Sequence, residues 1–191
     1  MDWFPEYNYI LASKSPRRQE LLKSLGVDFQ VQLKEIEENY PGNLNQEEIP
    51  VYLAKLKAKP FYSELKENDL LITADTIVWL DGQILGKPSD FDHAKQMLTR
   101  LSGNEHQVIS GVCLTSTEKQ EAFYSVSNVR FKLLTENEIN FYISQYKPFD
   151  KAGAYGIQEW IGTIGITHIE GSFYNVMGLP IQKLYEEIQR F

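Results

Sequence analysis

The stretch Y-I-L-A-S-K-S-P-R-R, residues 9–18, joins an apolar strand to the start of a helix. Ser15 is a favourable N-cap and Pro16 suits the first helical position, so the pattern predicts a helix beginning at Pro16. Arg17 and Arg18 then fall in the first turn, where the positive end of the helix dipole disfavours cations. An anion bound between these arginines and the free backbone N–H groups would explain the pair, and phosphate is the usual one. The alternative is two solvated arginines on a surface helix.

Length and composition indicate an ordinary globular protein. The chain has 191 residues, of which 42% are hydrophobic and 13% aromatic, enough for one core or two small lobes. A net charge of -7 argues against non-specific binding along a nucleic-acid backbone, which needs a basic surface. We therefore expect no nucleic-acid partner, whereas a small anion in a local cationic pocket is compatible with this charge.

The cysteine content and the lengths of the apolar runs indicate the cellular location of the protein. Cys113 is the single cysteine, so no internal disulfide can form, which is typical of a reducing environment. It lies in the run G-V-C-L, and we interpret it as a core residue. The N-terminal residues lack a secretory signal pattern, and no run approaches the ~18 apolar residues of a membrane span. We expect a cytoplasmic protein without a membrane partner.

Strand and helix patterns alternate along the chain, without an internal repeat or a linker. Helices are predicted over 16–25, from Asn45 past Leu56, from a Ser89 cap to Gly103, from Thr135 through Tyr146, and from Pro180. Strands are predicted over 9–11, 29–33, 69–80, 83–85, 107–115, 121–134, 162–169 and 174–177. The dipeptide Asp81-Gly82 indicates a hairpin within this alternation. The mixture predicts an α/β protein with a mixed sheet, and any boundary separates two lobes whose limits the sequence does not mark.

Asp75 stands inside the apolar strand run I-T-A-D-T-I-V-W. A buried carboxylate is costly unless a cation, a metal or several donors pair with it, which makes Asp75 a candidate site residue. Alternatively it faces water, since successive strand residues point to opposite sides. Thr76 could donate a hydroxyl group to a ligand or simply suit a strand.

Other candidate residues lie in loops or at helix ends. Glu37 and Glu38 follow a predicted strand; loop carboxylates are usually solvated, but next to Asp75 they would form an oxygen site suited to Mg²⁺ or Mn²⁺. Lys57 ends an amphipathic helix, where a lysine commonly just complements the helix dipole. Lys87 lies in L-G-K-P, where a fixed backbone could aim it inward.

The stretch D-K-A-G-A-Y-G-I-Q, residues 150–158, combines two glycines and small alanines with polar ends. Glycine permits close approach of the backbone to a ligand, and the Gln158 amide could read a base edge. A tight strand-entry loop is the alternative. The three histidines, His93, His106 and His168, lack metal-ligand spacing, and the common Gly-rich nucleotide-binding motifs are absent from the sequence.

Six motifs occur in the order seen in one family. They are L-A-S-K-S-P-R-R-Q-E-L-L, A-D-T-I-V, L-G-K-P, L-S-G-N-E-H-Q-V, D-K-A-G-A-Y-G-I-Q and G-S-F-Y-N-V-M-G-L-P. In this the chain resembles the Maf proteins, septum-formation-inhibitor-like nucleoside triphosphate pyrophosphatases, from Tyr9 to its last residue. The resemblance implies one domain over 1–191, with a mixed α/β fold like that of inosine triphosphate pyrophosphatases and two lobes around a cleft.

The resemblance also implies a reaction. A nucleoside triphosphate is cleaved between its α- and β-phosphates, which yields the monophosphate and pyrophosphate. The reaction needs a divalent cation, Mg²⁺, Mn²⁺ or Co²⁺, and the habit of the family indicates a homodimer. The combination of A-D-T with A-Y-G-I-Q resembles the subgroup that acts on dTTP and UTP. The alternatives are the same chemistry on modified pyrimidine nucleotides, the sister subgroup acting on 7-methyl-GTP, or a nucleotide-binding regulator of septum formation that needs no turnover.

Residue roles follow from the same resemblance. Asp75 is implied as the proton acceptor, and Arg17, Thr76 and Gln158 as side chains that bear on substrate choice. For the mechanism we expect Glu38 and Asp75 to hold the divalent ion, and Arg17, Arg18, Lys57 and Lys87 to neutralise the triphosphate. Ser13 is a further candidate for substrate binding. Two departures stand out, because Glu159 occupies a position where many relatives have glycine, and the acidic loop reads I-E-E where many read I-D-E.

Overall fold

Strands and helices alternate along residues 4–191, the part of the chain that the computed structural model describes. The strands are β1 (Asn8–Leu11), β2 (Phe29–Val31), β3 (Asp69–Leu80), β4 (Gln83–Leu85), β5 (Glu105–Thr115), β6 (Gln120–Phe131) and β7 (Ile166–Glu170). The helices are α1 (Pro16–Lys23), α2 (Glu48–Ala58), α3 (Phe91–Leu101), α4 (Glu136–Tyr146), α5 (Trp160–Gly165), α6 (Phe173–Met177) and α7 (Ile181–Arg190). Two 3₁₀ turns cover Lys59–Phe61 and Ala152–Ala154.

The strands of the described region form a single mixed sheet. Its strand order is β2-β1-β3-β5-β6-β7, and β4 pairs with β3 beside this path. Strand β1 is parallel to β2 and to β3, with Leu11 opposite Val31 on one side and Ile72 on the other. The β3–β4 and β6–β7 pairs are antiparallel. The predicted α/β class with a mixed sheet is confirmed.

The described chain divides into two compact units, and the division falls inside β3. Unit 1 contains the chain up to Asp75 together with Ser110–Ser125 and Gly178–Phe191. Unit 2 contains Thr76–Ile109 and Val126–Met177. Within residues 4–191, no helix has the length and apolar character that crossing a membrane requires.

Helix α2 in unit 1 lies directly against the sheet. The Thr73 hydroxyl on β3 donates to the carbonyl of Ala54 at 2.7 Å. At Gly111 on β5 the backbones are so close that a Cβ atom would lie 2.3 Å from the carbonyl carbon of Pro50. Cys113 is buried in the same strand, as predicted, and burial raises the pKa of its thiol. These contacts fix α2 over β3 and β5.

The core of unit 2 contains a buried histidine. His106 on β5 is 2% exposed, and its Nε2 lies 2.7 Å from the hydroxyl of Tyr155. Its ring stacks on Phe131, with ring centroids 5.7 Å apart. Burial lowers the pKa of His106 to about 4, because the surroundings disfavour the charged imidazolium.

The burial of His106 predicts an acid-sensitive contribution to stability. The unfolded chain takes up the proton near pH 6.5 and the folded chain only near pH 4, so stability is lost as the pH falls between these values. The full loss is about 3 kcal/mol, since each pKa unit corresponds to about 1.4 kcal/mol. Urea unfolding of wild type and His106→Gln between pH 4 and 7 measures it. Equal pH slopes for the two proteins would contradict the prediction.

The structure differs from the predicted elements most at three places, while α1, β2 and β6 end two or three residues earlier than predicted, at Lys23, Val31 and Phe131. The residues predicted as a strand over 174–177 form helix α6, because Ser172 Oγ accepts the N–H of Asn175 at 3.3 Å and the Asn175 amide bonds to the carbonyl of Val108 at 3.0 Å. Residues 160–165 form helix α5, whose buried Ile161 and Gly165 are four residues apart on one face, so β7 begins only at Ile166. Helix α3 is capped by Asp90 rather than Ser89, since the Asp90 carboxylate accepts the N–H of His93 at 2.8 Å.

Candidate functional site

The turn from β1 into α1 has the conformation that its sequence predicts. The N–H of Ala12 donates to the carbonyl of Ile72 at 3.0 Å, so β1 and β3 stay paired up to the turn. Ser15 caps α1 with its side chain, and Pro16 is the first helical residue. Ser13 is buried, and its hydroxyl oxygen accepts the N–H of Ser15 at 3.2 Å. This turn therefore places the start of α1 beside β3.

Arg18 joins α1 to two other segments of unit 1. Its Nε donates to the carbonyl of Gly178 at 2.7 Å, and its Nη1 donates to the carbonyl of Ala74 at 2.8 Å. Desolvation lowers the pKa of the guanidinium, while the neighbouring charge of Asp75 raises it. Arginine stays charged in proteins, so Arg18 brings a fixed positive charge next to Asp75. Its two backbone acceptors make it a structural link as well as a predicted phosphate ligand.

Lys57 lies between two of the predicted carboxylates. Its Nζ is 2.6 Å from Asp75 Oδ1 and 3.2 Å from Glu38 Oε1. Asp75 is 8% exposed on β3, whereas Glu38 is exposed in the segment between β2 and α2. The sequence left open whether Lys57 only complements the helix dipole; the structure brings it into the Asp75 site instead. We refer to Glu38, Lys57 and Asp75 together as the Lys57 cluster.

Unit 2 contains three of the predicted site residues, whereas Arg17 lies half-buried in the first turn of α1 in unit 1. Thr76 follows Asp75 on β3 and is half-buried, while Lys87 and Gln158 are exposed. The N–H of Gly153 donates to the carbonyl of Gly86 at 3.0 Å, which puts the L-G-K-P and D-K-A-G-A-Y-G-I-Q motifs side by side.

Three residues that the sequence did not single out as a group come together next to Gln158. The Tyr142 hydroxyl donates to Glu159 Oε2. The Nζ of Lys151 lies 3.1 Å from Glu159 Oε1. The family resemblance marked Glu159 as a departure from the family pattern, whereas nothing in the spacing connects Tyr142 to it.

The comparisons with known proteins agree with the motif order. The chain matches the family described as Maf-like protein over residues 8–191. The chain belongs to this Maf-like family. A relative from Bacteroides thetaiotaomicron, named dTTP/UTP pyrophosphatase, is 55% identical over 97% of this chain and 96% of its own length. Relatives with the same name from Flavobacterium psychrophilum and Porphyromonas gingivalis are 53% and 49% identical, over 95% and 100% of this chain and 93% and 98% of their own lengths.

Solved structures resemble the Maf-like chain more distantly. The Ham1 protein of Staphylococcus aureus has a TM-score of 0.44 and 14% identity, over 65% of this chain and 71% of its own. A nucleoside-triphosphatase, also titled dITP/XTP pyrophosphatase, from Mycobacterium abscessus has a TM-score of 0.40 and 15% identity, over 65% and 72%. The fold assignment therefore rests on the strand order and register described above.

The donor set of the Lys57 cluster fits a hard divalent cation. Within residues 4–191, no group of three or more His, Cys, Asp or Glu side chains is arranged to hold a metal ion. Mg²⁺, however, is commonly held by one or two carboxylates plus substrate phosphates and water. Glu38 and Asp75 contact one ammonium group and supply carboxylate oxygens of this kind. Glu38 and Asp75 are thus the residues of the Maf-like chain that could hold such a cation.

The two arginines of α1 predict different variant behaviour. Arg18→Ala removes the donors to the carbonyls of Ala74 and Gly178, and the lost charged hydrogen bonds should cost about 3 kcal/mol of folding stability. Arg17→Ala should raise KM for a nucleoside triphosphate by about tenfold, since it removes a proposed phosphate contact. Thermal melts and steady-state kinetics on both variants separate these effects. An unchanged KM for Arg17→Ala would contradict its phosphate role.

Proposed function

We propose that this Maf-like chain hydrolyses dTTP and UTP to the nucleoside monophosphate and pyrophosphate. The observation that carries the proposal is the Lys57 cluster beside the N-terminal turn of α1, where Arg18 bonds to the carbonyl just before Asp75. It places carboxylates and fixed cations together, as hydrolysis of a polyphosphate needs. Relatives that match almost the whole chain carry the name of this activity.

In the proposed reaction, a water molecule attacks the α-phosphorus and gives its proton to a carboxylate oxygen of Asp75. The bond between the α-phosphorus and the oxygen bridging to the β-phosphate breaks, and pyrophosphate leaves with that oxygen. Lys57 holds the Asp75 side chain through its 2.6 Å contact, so the proton acceptor is oriented before the substrate arrives. A general base placed in this way typically contributes roughly 10²–10⁴-fold to the rate.

Cationic groups stabilise the negative charge that develops on the leaving pyrophosphate. Arg17 and the backbone N–H groups at the start of α1 bind phosphate oxygens, and Arg18 adds its fixed charge. Such pre-oriented electrostatic stabilisation is usually the largest single contribution to catalysis. Lys87 also neutralises the triphosphate and Ser13 is a further candidate for binding it. By family resemblance, Thr76 and Gln158 join Arg17 in selecting the substrate.

Glu38 and Asp75 are the proposed ligands of Mg²⁺, Mn²⁺ or Co²⁺. When bound, the cation would polarise the phosphate oxygens and neutralise part of their charge. Both side chains offer hard oxygen ligands, the type that these cations prefer over softer donors. The departure from I-D-E to I-E-E keeps two carboxylates in the acidic loop.

A nucleotide panel tests the proposed function. Pyrophosphate release is measured with wild-type protein on dTTP, UTP, 7-methyl-GTP and the purine nucleoside triphosphates, each with Mg²⁺, Mn²⁺ or Co²⁺. Fastest release from dTTP and UTP supports the proposal. If pyrophosphate is released fastest from 7-methyl-GTP, the chain has the activity of the sister subgroup instead. If nucleotides bind without release of pyrophosphate, the chain is a nucleotide-binding regulator.

Location and assembly form a further part of the proposal. The buried Cys113 thiol, without a disulfide partner, is compatible with a reducing compartment such as the cytoplasm. A homodimer is expected from the habit of the family, and light scattering coupled to size-exclusion chromatography measures it directly. The continuous match over residues 8–191 supports one Maf-like domain containing both units.

A further inference from the structure

Gln158 lies at the tip of a β-turn that Glu159 closes. The backbone N–H of Glu159 donates to the carbonyl of Gly156 at 3.0 Å, which is the bond of a four-residue turn. Ile157 and Gln158 occupy the central positions of the turn. Ile157 is buried and Gln158 is exposed. The side chain of Ile157 therefore anchors the turn, while the side chain of Gln158 is accessible to a ligand.

Tyr142 on α4 connects the two ends of this turn. Its hydroxyl oxygen accepts the N–H of Gly156 at 3.0 Å, and the same hydroxyl donates to the carboxylate of Glu159. The ring is fully buried, and burial together with the Glu159 carboxylate raises the pKa of the phenol, so the hydroxyl keeps its proton to donate. The turn is therefore anchored to a helix of the unit 2 core at its first and its last residue.

Lys151 holds the second oxygen of the same carboxylate. Its Nζ lies 3.1 Å from Glu159 Oε1 and 2.7 Å from Asp150 Oδ1. Lys151 is 8% exposed, and desolvated ion pairs of this kind are strongly sensitive to loss of one partner. Both carboxylate oxygens of Glu159 are thus occupied by groups of unit 2.

Gly156 leaves room for this arrangement. A Cβ atom at Gly156 would lie 2.8 Å from the carboxyl carbon of Glu159 and 3.0 Å from its Oε2. The Glu159 side chain therefore folds back beneath the turn instead of extending into solvent. An exposed ion pair contributes little to stability. The Glu159 carboxylate, in contrast, fills the space under the turn that carries Gln158.

We propose that Glu159 is a positioning residue that holds Gln158 for recognition of the pyrimidine base, with Tyr142 and Lys151 as its anchors. This role rests on the proposed function and on the predicted contact of Gln158 with the base. Uracil and thymine share an N3–H donor flanked by two carbonyl acceptors, and a glutamine amide offers the complementary acceptor and donor. Such a pair of bonds requires a fixed turn, because a mobile amide pays an ordering cost on binding.

This role is tested by comparing UTP and dTTP with inorganic triphosphate, a ligand that lacks the base. Glu159→Gln and Tyr142→Phe are measured for kcat and KM with UTP and dTTP, and for inhibition by inorganic triphosphate, which lacks a base. We expect KM for both nucleotides to rise about tenfold and kcat to change less than about threefold, since binding is affected more than chemistry. The inhibition constant of inorganic triphosphate should stay unchanged. The double variant should be no worse than either single variant, because both act through one network.

Glu105→Gln is the matched control. It removes the carboxylate of the exposed Glu105–Arg130 pair, which has a 2.8 Å contact between β5 and β6, and should leave KM unchanged. If Glu159→Gln does not fold, Tyr142→Phe carries the test, because it removes only a hydroxyl group. Folded variants with the wild-type KM for UTP and dTTP would overturn the role of Glu159. A rise in the inhibition constant of inorganic triphosphate as large as the rise in KM would overturn it too. Wild-type protein that releases no pyrophosphate from UTP or dTTP overturns the proposed function itself.

Discussion

Replacing Asp75 by asparagine should lower kcat for pyrophosphate release by a factor of about 10² to 10⁴, the usual contribution of a general base. Asparagine has almost the same shape as aspartate but cannot accept the proton of the attacking water. It also removes the carboxylate from Lys57, which keeps Glu38 as its other anionic contact. Measurement of pyrophosphate release from dTTP and UTP at saturating substrate gives kcat for both proteins.

Asp69→Asn is the matched control, since Asp69 is the other buried aspartate of β3. Its carboxylate accepts the side-chain amide of Asn8 at 3.2 Å and the N–H of Lys66 at 2.9 Å, so its role is structural. The control should lose some stability while keeping kcat. Full turnover in Asp75→Asn, with a Tm near that of wild type, would remove Asp75 from the mechanism.

Gly111→Ala should produce a loss of stability as large as that expected for Arg18→Ala. The new methyl group would meet the backbone of α2 at Pro50 and Val51, 2.3–2.4 Å away, and backbone atoms cannot move aside like a flexible side chain. Overpacking of this kind costs about 3 kcal/mol. For a chain of this length that corresponds to a fall in Tm of roughly 10 °C.

The same substitution should also reduce activity, because α2 carries Lys57 in its last turn. A shifted helix moves the Lys57 ammonium relative to Asp75 and Glu38. Gly42→Ala provides the control, since no atom lies within 4 Å of the added carbon there. Calorimetry and measurement of kcat on both variants test the two effects. A Gly111→Ala protein with the same Tm as wild type would show that α2 does not press on β5 at this point.

Local chemistry made much of the fold predictable. Strand β3 has the predicted bounds of 69–80, and the hairpin after it turns at Asp81-Gly82. The Thr135–Glu138 capping box is present in both directions and starts α4 as predicted. These features depend on neighbouring residues alone. Helix α6 was predicted as a strand because its short apolar run fits both patterns, and the deciding contacts of Asn175 come from β5 and β6.

The candidate site residues came from the sequence, whereas their contacts came only from the structure. A carboxylate in apolar surroundings identified Asp75, the first turn of a helix identified Arg17 and Arg18, and the order of the motifs joined these candidates to the others. Helical position alone could not distinguish a lysine that complements the dipole from one that binds Asp75, because α2 reaches β3 only through tertiary packing. The Tyr142–Glu159 contact was missed for the same reason, since Tyr142 lies on α4 and Glu159 closes the turn before α5.

The bond from Arg18 to the Gly178 carbonyl has a consequence for protein synthesis. Unit 1 is assembled from three stretches of chain, and Gly178 opens the last of them. A ribosome makes Arg18, Lys57 and Asp75 long before Gly178, and contacts between such distant residues form late in folding. A nascent chain therefore carries these charged groups for most of its translation without the carbonyl that fixes Arg18. The arrangement is completed only once Gly178 has left the ribosomal tunnel.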